Sequence, residues 1–311
     1  MYYPYLRGKQ FELIALREFA DSYDNYKVMP IIEPVKSSFN SMSLAIKAMK
    51  AKNLPFVLII NPQVGDIIGN ESLIESFITY ELAEYEKWFP AFIVTNNNHD
   101  KIIAHINDRN DQEVFLICKD NLDTSAPTLT QLFAMNNIGH IVINANSSGL
   151  KRLVNKNKKA IIRLDDNFKP QRKNSDFLSV PEEMFTEEYR YYSDDGYCGI
   201  SDYTALPSEF IDGGMLPYAV VIHWTYEKNN DAIWIRHFVS DTNDDNSNIQ
   251  GKFAEAARKA IKFLDENHLS NSAADELRRY VREGQYPGLG VIKKLSIKNH
   301  IELMHKIFTA R

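Results

Sequence analysis

The sequence predicts an α/β chain: a (β/α)8 TIM-like barrel with a C-terminal β-hairpin and a helical extension. Three observations predict it. Short apolar, β-rich runs alternate with segments of helical period from the first residues to about residue 205; there are eight such runs; and their starts are spaced by about 28 residues, the length of one strand, one helix and two short loops.

The eight runs are Tyr2 to Arg7, Val28 to Pro34, Phe56 to Asn61, Ala91 to Asn96, Val114 to Lys119, His140 to Asn144, Ala160 to Asp165 and Tyr197 to Asp202. Between them, Lys9 to Tyr23 sets Phe11, Leu13, Ile14, Leu16 and Phe19 on a broad apolar face, and Ser41 to Lys50 does the same with Leu44, Ala45, Ala48 and Met49. Glu71 to Trp88 reads as the longest of these helices, with Asn70 as its N-cap. Pro34, Pro62, Pro90 and Pro127 are expected at element edges. The longer stretch from 167 to 196, with a helix expected over Pro181 to Tyr192, is a candidate lid. Beyond the barrel (1–205), residues 206–311 are expected to pack on it as part of one domain. They comprise a hairpin of Tyr218 to Tyr226 and Ile233 to Val239 about the turn Glu227 to Asp231, then helices near 252–267, 271–283 and 297–309.

With 311 residues, 44% hydrophobic and 25% charged, the chain can bury a sizeable core, which excludes disordered and fibrous classes. A net charge of -5 argues against a dominant duplex-binding surface, while a local basic patch leaves nucleic acid open as a partner. Two cysteines, Cys118 and Cys198, make neither a disulfide framework nor a closed zinc site, which fits a reducing cytoplasm. The apolar runs are strand-sized, so no membrane span is expected.

In a parallel barrel the ligand site lies where the strands end. The side chains expected there are Arg7 with Lys9, Glu33, Asn61, Asn96, Lys119, Asn144, Asp165, and Asp202 with Tyr203, with Arg163 two residues before Asp165. Arg7, Lys9 and Lys119 suit a phosphate-bearing, nucleotide-like ligand; Glu33, Asp165 and Asp202 can serve as general base or as oxygen ligands to Mg2+ or Mn2+. Together they predict a metal-assisted phosphoester hydrolase. A closing ion-pair network, Arg7 with Glu33 and Asp202 with Arg163 or Arg7, uses the same residue types. In the hairpin, His223 and His237 are candidate acid/base groups and Arg236 a candidate ligand contact, although alternation sets Arg236 and His237 on opposite faces. Phosphate-loop, dinucleotide, H-E-x-x-H and G-x-S-x-G motifs are absent from the sequence. The alternative function is a non-catalytic barrel that binds a companion protein or senses a nucleotide.

The opening Tyr2-Tyr3-Pro4-Tyr5-Leu6-Arg7-Gly8-Lys9-Gln10-Phe11-Glu12-Leu13-Ile14-Ala15-Leu16, followed by Met29-Pro30-Ile31-Ile32-Glu33-Pro34, resembles the Beta-protein family of phages and bacteria. Gly199 to Thr204 and Ile235 to Asp241 are similar to a poorly characterised bacterial relative met in variable genomic islands beside a smaller companion protein. The resemblance implies a barrel in a mobile-element or phage-defence setting and no established reaction. Leu6-Arg7-Gly8 also resembles the His-Arg-Gly strand end of glycerophosphodiester phosphodiesterases, with Leu6 in place of the histidine and Glu33 where those enzymes keep a metal-binding carboxylate. That likeness implies room for phosphate.

Overall fold

A computed structural model describes residues 1–23, 27–109, 113–213, 216–229 and 231–310. Its strands are β1 (Tyr2–Leu6), β2 (Ile31–Ile32), β3 (Phe56–Ile59), β4 (Trp88–Ile93), β5 (Val114–Cys118), β6 (Ile138–Asn144), β7 (Ala160–Asp165), β8 (Glu182–Thr186), β9 (Gly199–Asp202), β10 (Val221–Lys228) and β11 (Ala232–Val239). The helices are α1 (Gln10–Ser22), α2 (Asn40–Ala51), α3 (Glu71–Glu81), α4 (His99–Arg109), α5 (Pro127–Ala134), α6 (Ser148–Lys156), α7 (Ile249–Glu266), α8 (Ser272–Arg282) and α9 (Leu289–Thr309). No helix among the described residues is long and apolar enough to cross a membrane.

Strands β1 to β7 and β9 form a closed parallel barrel, as the alternation of the sequence predicts. Closure joins β9 to both β7 and β1, with Tyr3 opposite Ser201. Gly199 makes that seam fit: a Cβ there would stand 2.5 Å from the Tyr3 ring and 2.8 Å from the Met1 carbonyl.

Successive strand residues point to opposite faces, so one register assigns the whole wall. Phe115 of β5 meets both Phe89 of β4 and Tyr3 of β1, which lies across the barrel, at ring separations of 5.5 and 6.4 Å. Only inward-pointing side chains make such a crossing. Carried around the ladder, the inner face takes Tyr3, Tyr5, Ile31, Val57, Phe89, Ala91, Phe115, Ile117, His140, Val142, Ile162, Leu164, Gly199 and Ser201. The outer face takes Tyr2, Pro4, Arg163, Asp165, Ile200 and Asp202.

The chain divides into two compact units that do not follow the predicted boundary at 205. The first holds Met1–Lys9, Tyr26–Asp165 and Glu188–Asp202, and thus every barrel strand; the second holds Gln10–Asn25, Asp166–Glu187 and Tyr203–Arg311. Helix α1 belongs to the second because it packs on α9, where Lys294 bonds both Glu18 and Glu276 and Lys298 bonds Glu18.

The predicted hairpin is β10 and β11, antiparallel, with Asn229 in the left-handed region at φ 57°; Asn230 of the predicted turn lies outside the described residues. One face of β10, Ile222, Trp224 and Tyr226, joins Phe253, Phe263, Leu264 and Leu277 of α7 and α8 in an apolar core.

Three local expectations are corrected. Residues 181–192 are not a helix: Pro181-Glu182-Glu183 imitates a helix start, but Glu182–Thr186 pairs with β11 as the third strand of the sheet, and tertiary pairing overrides the local signal. The predicted lid is pinned there, with Asn174 donating to the Ala219 carbonyl at 2.8 Å. Helix α3 stops at Glu81, Trp88 opens a strand, and Asn70 makes no side-chain capping bond. Pro90 lies inside β4, on the outer face opposite Leu58, rather than at its edge.

Candidate functional site

The inner wall of the barrel ends, on the side where the strands end, in Arg7, Glu33 and Lys119. Gly8, with φ 59°, turns the chain immediately after Arg7, and a Cβ there would come within 3.1 Å of the Glu33 carbonyl. The Glu33 N–H donates to the Leu6 carbonyl at 2.8 Å, which extends the β1–β2 ladder as far as Glu33. Arg7 is two residues beyond Tyr5, and Lys119 two beyond Ile117, so both inherit the inward direction.

Glu33 is wholly buried and is the centre of the group. The Tyr5 hydroxyl donates to its Oε2 at 2.6 Å, and the Gln63 backbone N–H donates to its Oε1 at 2.9 Å. Arg7 Nε stands 3.3 Å from Oε2 and Lys119 Nζ 3.8 Å from the same atom. Both cations lie over the Tyr5 ring, at 5.5 and 5.8 Å from its centre. Burial draws the Lys119 ammonium below its ordinary range and Arg7 adds to this, while Glu33 and Asp120 pull it upward.

The other two acids do not reach this group. Asp165 and Asp202 are register partners on the outer face, so the predicted trio of Glu33, Asp165 and Asp202 is split by the wall itself. Asp202 accepts from the Tyr2 hydroxyl at 2.6 Å. Asp165 accepts from Arg163 Nε at 2.8 Å, and burial pushes its carboxyl above the usual range against that arginine's pull. Arg163 also approaches Glu188 at 2.8 Å and Asp195 at 3.8 Å, so it serves an outer ion-pair cluster rather than the mouth. Among the described residues no group of three His, Cys, Asp or Glu side chains is placed to hold a metal ion. The oxygens of Glu33 already have donors, and Mg2+ or Mn2+ does not fit this donor set.

The asparagines are occupied with the backbone. Asn61 donates to the Ile93 carbonyl at 2.9 Å and accepts from the Ile93 N–H at 2.8 Å, tying β3 to β4. Asn96 accepts from the Asp123 N–H at 2.8 Å, and Asn144 from the Asn146 N–H at 3.0 Å. Lys9 follows Gly8 and is half-buried.

Tyr203, His223, Arg236 and His237 belong to the second unit. Arg236 bonds Glu182 at 3.1 Å and stacks on Phe263, on the face opposite His237 as alternation predicts. His223 and His237 meet Nδ1 to Nδ1 at 2.7 Å, with Phe177 against both rings. Burial draws His237 down to about 4 despite Glu183, and burial together with His237 and Lys293 draws His223 well below its usual value. Two imidazoles at that distance share one proton position and are not poised for acid/base work near neutrality.

Tyr5 and Gln63 are the contributors that residue-type reasoning misses. The signal for Tyr5 was present, since it stands two residues before Arg7 and shares its face; the Gln63 contact is made by backbone and carries no signal.

No protein-family model and no curated protein matches the chain, so the likeness to the Beta-protein family stands on the quoted motifs alone. Among solved structures, the chain is similar to tryptophan synthase from M. tuberculosis in an open form with BRD0059 bound. That alignment has 8% identity and a TM-score of 0.37, and covers 65% of this chain and 81% of that one. It is also similar to FabK from Thermotoga maritima, with 13% identity and a TM-score of 0.37 over 99% of this chain and 96% of that one. The fold is a TIM barrel. Likeness at this level says nothing of activity.

Proposed function

We propose that the mouth of the barrel binds a small phosphate-bearing, nucleotide-like ligand. One observation carries the reading: Arg7 and Lys119, from opposite strands, share the single carboxylate of Glu33. The two cations meet at one carboxylate in a largely buried setting, where desolvated cations gain from an added anion. A phosphate oxygen placed between the two would offer both a further acceptor, with Arg7 able to give a planar fork and Lys119 a point charge. Of the three predicted acids only Glu33 lies on the inner face, so the reading is one of binding, and the metal-assisted hydrolysis expected from the acids has no support in their placement. The mobile-element and phage-defence setting adds no residue to it.

The test is thermal unfolding with inorganic phosphate, AMP and glycerol phosphate, on the wild type and on Lys119→Met. The expected result is a midpoint that rises with ligand in the wild type and not in the variant. A midpoint indifferent to the whole panel, together with a protein that co-purifies at fixed stoichiometry, would replace this reading with the companion-protein one.

A further inference from the structure

Lys119 differs from an ordinary salt-bridged lysine in three respects. Its side chain is 15% exposed, shielded from bulk water yet reachable. Its nitrogen lies 3.8 Å from Glu33 Oε2, a loose contact with a carboxylate that the Tyr5 hydroxyl and the Gln63 N–H also hold. Its nearest charged companion at the same oxygen is another cation, Arg7. Desolvation, and after it Arg7, loosen the ammonium's hold on its proton against the pull of Glu33 and Asp120, and the free amine is the state in which lysine is a nucleophile. A carboxylate that can take the ammonium proton is already in place, and so is the Tyr5 hydroxyl that bonds to it.

We propose that Lys119 forms an imine with the carbonyl carbon of a phosphorylated aldehyde held at the barrel mouth. The inference rests on the anion-binding reading of the same site and names its substrate class. The ammonium gives a proton to Glu33, and the free amine adds to the carbonyl carbon, forming a C–N bond as the C=O π electrons move to oxygen. A proton passes from nitrogen to that oxygen to give a carbinolamine. The C–O bond then breaks, the proton on Glu33 leaves with the hydroxyl as water, and the nitrogen lone pair closes the C=N bond. One ammonium and one aldehyde thus give one iminium and one water, with charge conserved and no oxidant or reductant required.

Incubation of the full chain with glyceraldehyde 3-phosphate, reduction with borohydride and peptide mass spectrometry will map the adduct. Lys101, exposed on α4, is the internal reference. Lys119 is expected to be labelled at least about tenfold more than Lys101, and excess inorganic phosphate is expected to suppress its labelling. Equal labelling of the two lysines overturns the proposal, as does labelling of other lysines without Lys119. If Lys119 is unlabelled while inorganic phosphate still raises the unfolding midpoint, anion binding stands and imine formation falls. If unphosphorylated glyceraldehyde labels Lys119 equally well, imine formation stands and the phosphate reading falls.

Discussion

Arg7 and Lys119 leave the barrel wall from opposite strands and come to the same atom, Glu33 Oε2, at 3.3 and 3.8 Å. The wall brings them together: neither is near the other in sequence, and the carboxylate between them is out of contact with solvent. Removing its charge takes from two largely buried cations the carboxylate that they share. Glu33→Gln is expected to cost about 3–5 kcal/mol in urea unfolding, and Lys119→Met added to it should return part of that loss. A double variant as unstable as the sum of its parts would show that the two cations do not depend on one carboxylate.

Asp202 is also buried but faces the other way, where the Tyr2 hydroxyl donates to it. An asparagine keeps an acceptor for that hydroxyl. Asp202→Asn should therefore cost only about 1–2 kcal/mol and leave the response to phosphate unchanged. A variant that folds normally and loses the phosphate response would bring Asp202 back into the site.

The His223–His237 pair makes stability depend on mild acid. In the folded chain both imidazoles are held neutral, whereas the unfolded chain protonates them near the ordinary value of about 6.5. The unfolded state then binds more protons, so stability is complete above about pH 6.5 and falls as the pH drops toward 4, by roughly 3 kcal/mol for His237 alone. Unfolding free energies at pH 7, 5.5 and 4.5 should show this slope, and His237→Phe should flatten it. An unchanged slope in that variant would assign the acid sensitivity to other groups.

Glu276 gives the opposite ordering of cause and a lower window. Burial works against its charge, but Lys294 at 2.6 Å, with Tyr280 and Lys298, holds its carboxyl below the usual range. Its stabilisation is present above the unfolded carboxylate value of about 4.3 and is lost as the pH falls through the lower folded one. Since Lys294 and Lys298 are themselves buried, Glu276→Gln is expected to cost about 3 kcal/mol at neutral pH, read as a lower urea midpoint. An unaltered midpoint would mean that Glu18 alone suffices for both lysines.

The barrel was legible because strand and helix periods are local properties: each of the eight predicted runs overlaps a barrel strand, with β4 and β6 beginning before the predicted Ala91 and His140. Which way a charged side chain points was not. In a parallel barrel both faces of a strand are covered, so Asp165 and Asp202 carry no polarity cue of their own, and only the register with Tyr3 and Phe115 sends them outward. The ion-pair alternative found Arg7 with Glu33, whereas the Tyr2 hydroxyl that donates to Asp202 carries no charge cue in the sequence. The misread Pro181 to Tyr192 segment shows the same limit, since its partner β11 lies some fifty residues away in sequence.

The bonds from Lys294 and Lys298 to Glu18 span 276 and 280 residues. A ribosome making this protein produces Glu18 of α1 276 residues before the Lys294 that pairs with it. The apolar side of α1 must therefore wait while that whole stretch is translated, and a nascent chain that terminates within it leaves α1 bare for chaperones or aggregation to find.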